Sequence, residues 1–80
     1  MKSYTIMLKS IKDVQNFCYQ CSGFDIDIDV VRGRYVVDAK SIMGLFSLDL
    51  SKPLEVRIDT RGLEETTIKA FSGVMAAYAV

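Results

Sequence analysis

The chain of 80 residues contains no histidine and no tryptophan, one proline and only two cysteines. Without histidine the commonest general base is missing, so the sequence predicts a protein that is not an enzyme. There is also no Gly-rich phosphate loop, and we expect no cofactor. Two cysteines are too few for the disulfide framework of a small secreted domain. No apolar run approaches the about 20 residues that span a bilayer, and the first residues lack the features of a signal peptide. We therefore expect a cytoplasmic protein without membrane insertion.

Neither positive nor negative charge is in excess, because ten basic residues balance ten acidic ones. This balance argues against a nucleic-acid partner. Half of the residues are hydrophobic, as in ordinary globular proteins, and the length predicts a single domain over residues 1–80.

Hydrophobic periodicity predicts the order β-α-β-β-α-β-α. Ser10 with Asp13 three residues later resembles a capping box, and Gly23 is placed to end the helix that it begins, over about 11–21. Residues 24–30 alternate strictly between apolar side chains and aspartates, which is typical of a half-buried strand. Apolar residues recur on one face of the first helix: Ile11, Val14, Phe17, Cys18 and Cys21.

The later elements follow from similar patterns. Arg32-Gly33 predicts a hairpin turn into a strand over 35–37, and Ser41 opens a short helix over 42–48. Residues 54–59 alternate as a strand, and helical spacing returns from Leu63. The fold class is therefore α+β, an open-faced two-layer sandwich with a four-stranded antiparallel sheet and helices on one face.

The segment 39–48, with the letters KSIMG at 40–44, resembles the HPr family, the phosphocarrier proteins of the bacterial sugar phosphotransferase system (PTS). That family has the same element order, and it carries a phosphoryl group on a histidine near its N-terminus. Counting back from the serine of KSIMG places Ser10 at the carrier-histidine position, Lys12 at the assisting arginine and Asp13 at the signature proline. The resemblance thus implies an HPr-like chain that has lost the carrier chemistry. Ser10 is interpreted first as a helix cap.

The resemblance also implies that Ser41 matches the serine that many members have phosphorylated as a regulatory site. A structural role is compatible with this phosphorylation, since Ser41 also suits the N-cap of the short helix. Lys40 is then either a neighbour of the phosphate or a solvated lysine.

Ile42, Met43 and Phe46 match family residues that help to dock partner proteins, so the resemblance implies a partner-binding surface there. The alternative is that they point into the core. Spacing puts Ile42 and Phe46 on one face of the helix and Leu45 and Leu48 on another, but it does not decide which face is buried.

Two further patterns have a simpler structural interpretation than a functional one. Cys18 and Cys21 form a C-x-x-C pair late in a helix, where neither redox chemistry nor zinc is favoured, and two buried hydrophobes are the simpler interpretation. Asp25, Asp27 and Asp29 line one strand face, which favours a solvated surface over a metal site.

Together these observations predict a regulatory or adaptor role in the phosphotransferase system or in carbon-catabolite control, switched by phosphorylation of Ser41. The resemblance extends in logic to the histidine-lacking catabolite-repression HPr proteins, which are phosphorylated only on serine and engage a transcriptional regulator. The implied partners are proteins, namely an HPr serine kinase and such a regulator, and the chain itself is expected to be a monomer or a weak dimer. The alternatives are an unswitched interaction module and, last, a phosphocarrier that uses a residue other than histidine.

Overall fold

The computed structural model describes all residues 1–80 and contains the seven predicted elements in the predicted order. The strands are β1 (Lys2–Ile6), β2 (Ile28–Arg32), β3 (Tyr35–Asp38) and β4 (Leu54–Ile58). The helices are α1 (Ile11–Ser22), α2 (Ile42–Phe46) and α3 (Glu65–Ala76). None of the helices has the length and hydrophobicity that a membrane crossing requires.

The four strands form one antiparallel sheet in the order β1-β4-β2-β3. Alternate side chains of each strand face the helices, and the others form an outer face without a covering layer, as the predicted open-faced sandwich requires. The fifteen buried side chains are all hydrophobic: Ile6, Leu8, Val14, Phe17, Cys21, Ile28, Val30, Ala39, Leu45, Leu48, Leu54, Val56, Ile58, Phe71 and Met75.

Aromatic side chains join α3 to the other elements. The Phe71 ring lies 5.5 Å from the Tyr4 ring and 5.2 Å from the Phe24 ring, both in edge-to-face geometry. Phe17 meets Tyr78 in the same way at 5.4 Å. Such pairs stabilise a core beyond the burial of their area.

The predicted strand over 24–30 begins later than its alternation indicates, at Ile28. The reason lies in its neighbours. Ile28 pairs with Ile58, the last residue of β4, and its carbonyl accepts the Ala39 amide just after β3 ends. The residues before Ile28 therefore have no strand to pair with, although Phe24 still packs on the core.

The prediction for α1 is wrong at one position. Val14, Phe17 and Cys21 are buried and Cys18 is partly buried, but Ile11 is 68% exposed. Ile11 is the first helical residue, so it lies at the end of the apolar face of α1 and not within it. Gly23 does end the helix, with a right-handed backbone rather than the left-handed one that glycine permits.

Candidate docking and phosphorylation site

Ser41 occupies the N-cap of α2, as predicted. Its backbone is extended, and its Oγ accepts a hydrogen bond from the Gly44 amide at 3.1 Å. Asp38 fixes the approach to this cap, because its carboxylate accepts the Lys40 amide at 2.8 Å and its carbonyl accepts the Ser41 amide at 2.9 Å. The Ser41 side chain is exposed, so its hydroxyl is open to solvent in this capped conformation.

Gly44 allows α2 to lie close to the sheet. A Cβ atom built at Gly44 would stand 3.2 Å from the Ser41 Oγ and 3.2 Å from the Val37 Cβ. Both distances are tighter than ordinary carbon contacts. The glycine of the KSIMG segment thus fixes how closely α2 packs on β3, and through it the orientation of the whole short helix.

That packing decides which face of α2 is buried. Leu45 is fully buried and Leu48, just after the helix, is nearly so. Ile42, Met43 and Phe46 are exposed by 36%, 80% and 43% of their surface. We call these three residues the α2 patch, and of the two readings that spacing left open the structure adopts the exposed one.

The α2 patch continues into a shallow groove that the sequence did not predict. Phe46 and Leu50 line the groove together with Ser10 and Ile11 at the start of α1. Ile11 fits the helical period, which predicts that it faces the core. Only its place at the first helical position indicates that its side chain could be exposed. Apolar side chains exposed together on a small domain are typical of an interaction surface.

Ser10 is the N-cap of α1, as predicted. Its Oγ accepts the Asp13 amide at 3.0 Å, and the Asp13 carboxylate accepts the Lys9 amide at 3.1 Å. Lys12 is exposed and makes no salt bridge. The Ser10 hydroxyl thus serves the helix end, and no side-chain base is hydrogen-bonded to it to make it a nucleophile.

Lys40 is half-buried, and its charge acts on Cys21. Burial, and then the neighbouring Cys18, raises the pKa of the Cys21 thiol to about 12, which Lys40 only partly opposes. Both cysteines are free thiols. A thiol held protonated in this way is a poor nucleophile, as the reading of two buried hydrophobes requires.

The aspartates of the 24–30 segment do not converge. Asp29 lies on the outer face of the sheet, paired across the strands with Arg57 on one side and Asp38 on the other. Asp25 and Asp27 precede the strand. The structure places no three acidic or cysteine side chains together in a way that could hold a metal ion.

Comparison with protein families matches residues 12–77 to the family model described as the PTS HPr component phosphorylation site. Ser10 lies just before the matched range. No curated protein sequence matches the chain.

Solved structures match over almost the whole chain. HPr-C-His from Thermoanaerobacter tengcongensis is 30% identical, with a TM-score of 0.73, covering 96% of this chain and 93% of its own. A phosphocarrier protein HPr from Bacillus anthracis str. Ames is 17% identical, with a TM-score of 0.69 and coverage of 96% and 95%. A histidine-containing phosphocarrier protein from Mycoplasma is 13% identical, with a TM-score of 0.68 and coverage of 95% and 93%. The last two show that the fold is shared.

Proposed function

Because this chain belongs to the HPr family yet contains no histidine, we propose that it is a regulatory adaptor of the phosphotransferase system or of carbon-catabolite control. Phosphorylation of Ser41 switches it, and the α2 patch binds its protein partner in the cytoplasm. The partners would be an HPr serine kinase and a transcriptional regulator. In this role the chain binds and is not an enzyme.

The observation that carries this proposal is the place of Ser41. Its exposed hydroxyl stands at the residue directly before the exposed Ile42 and Met43. A phosphate on Oγ adds nearly two negative charges and three acceptor oxygens. At this position those charges border the α2 patch, so they change what the patch can bind without any change of fold.

Loss of the carrier histidine does not weaken this surface. Imidazole can pass on a phosphoryl group because its pKa lies close to neutral pH, whereas a phosphoserine ester is a stable product. A chain with serine in place of the carrier histidine is therefore better suited to lasting phosphorylation than to phosphoryl transfer. Regulation is the role that remains for the family's fold here.

The test is the intact mass of the protein after incubation with an HPr serine kinase and ATP. We expect one added phosphate that disappears in Ser41→Ala. Ser10→Ala is the matched control, because Ser10 is also an exposed N-cap serine with a hydrogen bond of nearly the same length. Loss of the phosphate in Ser10→Ala, or no phosphate in the natural chain, would rule out the switch.

A second candidate function is an unswitched interaction module. The exposure of the α2 patch in the unphosphorylated chain favours it, since the patch needs no phosphate to become accessible. It predicts that Ser41→Asp leaves partner binding unchanged, whereas the adaptor predicts a change. A phosphocarrier that uses Ser10 ranks last, and it would require acid-stable phosphate on Ser10 after incubation with phosphoenolpyruvate and the general upstream enzyme of the system.

A further inference from the structure

The β3 edge of the sheet is open at its centre, and only its last residue is engaged, where the Asp38 carbonyl accepts the Ser41 amide at 2.9 Å. At the opposite edge, the chain end closes on β1, where Ile6 bridges to Ala79 and the Met7 amide donates to the Tyr78 carbonyl at 2.9 Å. No such segment pairs with β3, whose only neighbour is β2. An open edge strand presents unpaired backbone groups that can pair with another strand.

The register shows which backbone groups these are. The Ala39 amide donates to the Ile28 carbonyl at 3.0 Å, which marks this pair as hydrogen-bonded. Hydrogen-bonded pairs alternate along an antiparallel ladder, so Tyr35 and Val37 bond to β2 and the amide and carbonyl of Val36 point away from it. Val36 is therefore the centre of the open edge.

Apart from its short length and the charge of Asp38 at its end, little protects this edge. Natural edge strands are usually blunted by lysine, proline or a bulge. The strand contains no lysine and no proline, and its register with β2 is continuous. Tyr35 and Val36 are exposed by 71% and 58% and are both residue types that favour strands.

Two opposite charges that form no salt bridge flank the exposed pair: Arg34 in the hairpin turn just before β3, and Asp38, whose carboxylate accepts the Lys40 amide. The salt bridges of the chain join Arg57 with Glu55 and Arg61 with Asp59, so neither Arg34 nor Asp38 takes part in one. Across the sheet Asp38 faces another aspartate, Asp29, which is an unfavourable neighbour.

We propose that the β3 edge binds β3 of a second copy of this chain, antiparallel about a two-fold axis through Val36. In that register Val36 meets Val36 of the second copy, and Tyr35 meets Val37. The Arg34 side chain, which extends from the turn just before β3, then comes beside Asp38 of the second copy, and the same pair recurs on the other side of the axis. A parallel pairing in register would place like charges together, so the charges select the two-fold arrangement.

The contact is a weak one. An added strand of four residues covers far less than the roughly 1,600 Å² of a standard interface. We expect self-association with a dissociation constant of about 1 mM, at the weak end of specific binding. The α2 patch lies on α2 and not on the β3 edge, so this inference does not depend on the proposed function.

The first experiment is a dilution series of the full chain followed by amide correlation spectra. With increasing concentration, amide shifts should move at residues 34–38 and stay constant in α3, while sedimentation velocity shows growth to a dimer. No concentration dependence up to about 2 mM would overturn the proposal. Shifts confined to another surface, such as the α2 patch, would also overturn it.

Charge complementation makes the test specific. Arg34→Asp and Asp38→Arg should each weaken self-association by about tenfold, because each variant places charges of the same sign next to each other across the contact. A 1:1 mixture of the two variants restores both opposite-charge pairs and should associate again. Lys69→Asp, with the same charge change on exposed α3, is the control and should behave as the natural chain.

Asp38→Arg also removes the carboxylate that accepts the Lys40 amide. If that variant fails to fold, comparing the self-association of Arg34→Asp with that of Lys69→Asp still tests the proposal. Equal association of these two variants would mean that the edge does not bind a second copy in this register. Arg34 is exposed and forms no salt bridge, so its replacement should leave the fold intact.

Discussion

Leu45 and Met43 offer a direct test of how α2 is oriented, because they are two residues apart on the same short helix and differ fully in burial. Leu45 is completely buried, whereas 80% of Met43 is exposed. Replacing a buried leucine with alanine removes transfer free energy and leaves a cavity, at a cost of about 2–5 kcal/mol. Replacing an exposed methionine should change the free energy of unfolding by less than about 0.5 kcal/mol.

The expected loss is large for a domain of this size. At about 0.05–0.15 kcal/mol per residue, an 80-residue chain has roughly 4–12 kcal/mol of stability. Leu45→Ala would therefore remove a large part of it and lower the melting temperature by about 10–30 °C. Met43→Ala should leave the melting temperature within about 4 °C of the natural chain.

The assay is urea unfolding followed by far-ultraviolet circular dichroism, since the chain has no tryptophan to serve as a fluorescent probe. Equal slopes of free energy against urea would show that the two variants differ in stability rather than in the denatured state. If Met43→Ala cost as much as Leu45→Ala, the faces of α2 would be assigned wrongly and the α2 patch would not be a docking surface.

Three further predictions test other parts of the structure. Gly33 has a φ of 60° in the hairpin turn and Gly73 lies in α3 with open space around it, so Gly33→Ala should destabilise by about 1 kcal/mol and Gly73→Ala should stabilise by a similar amount in the same urea assay. A thiol reagent should label the partly buried Cys18 in the native protein and reach the buried Cys21 only on unfolding, and mass spectrometry that finds native labelling of Cys21 would contradict its burial. Hydrogen bonds from its arginine partner hold the pKa of Asp59 below the usual 3.8, so its small contribution to stability is complete above about pH 4 and declines as the pH falls below that value. Stability measured against pH should therefore differ between the natural chain and Asp59→Asn above pH 4 and converge in acid, and a constant difference would refute this account.

The fold could be predicted because each element has a strong local signal. Ser10 and Ser41 both cap helices as expected, and alternation identified β4 to within one residue at its end. The start of β2 could not be predicted, because it depends on where two distant strands end and not on its own sequence. Local alternation still identified Phe24 and Ile26 correctly as positions that face the core.

The orientation of α2 was beyond sequence reasoning for a different reason. A helix of five residues contains little more than one turn, so spacing allows either of its apolar faces to be buried. The choice is made by tertiary contact, where Gly44 lets the helix approach Val37 of β3 and turns Leu45 inward. The exposure of Ile11 was missed in the same way, because helical period does not show where the covering layer ends.

The two capping serines show why local structure alone cannot assign function. Their hydrogen bonds differ by only 0.1 Å, and both hydroxyls are exposed. Both also border the same apolar surface, since Ser10 lines the groove and Ser41 precedes the α2 patch. A phosphate at either position would add charge beside this surface, so charge alone does not favour one of them. What separates them is the segment recognised around each: Ser41 lies in the KSIMG segment, whereas the segment around Ser10 keeps none of the family's carrier signature. A kinase that modified both serines equally would show that recognition follows the exposed cap, and the argument for a switch specific to Ser41 would fail.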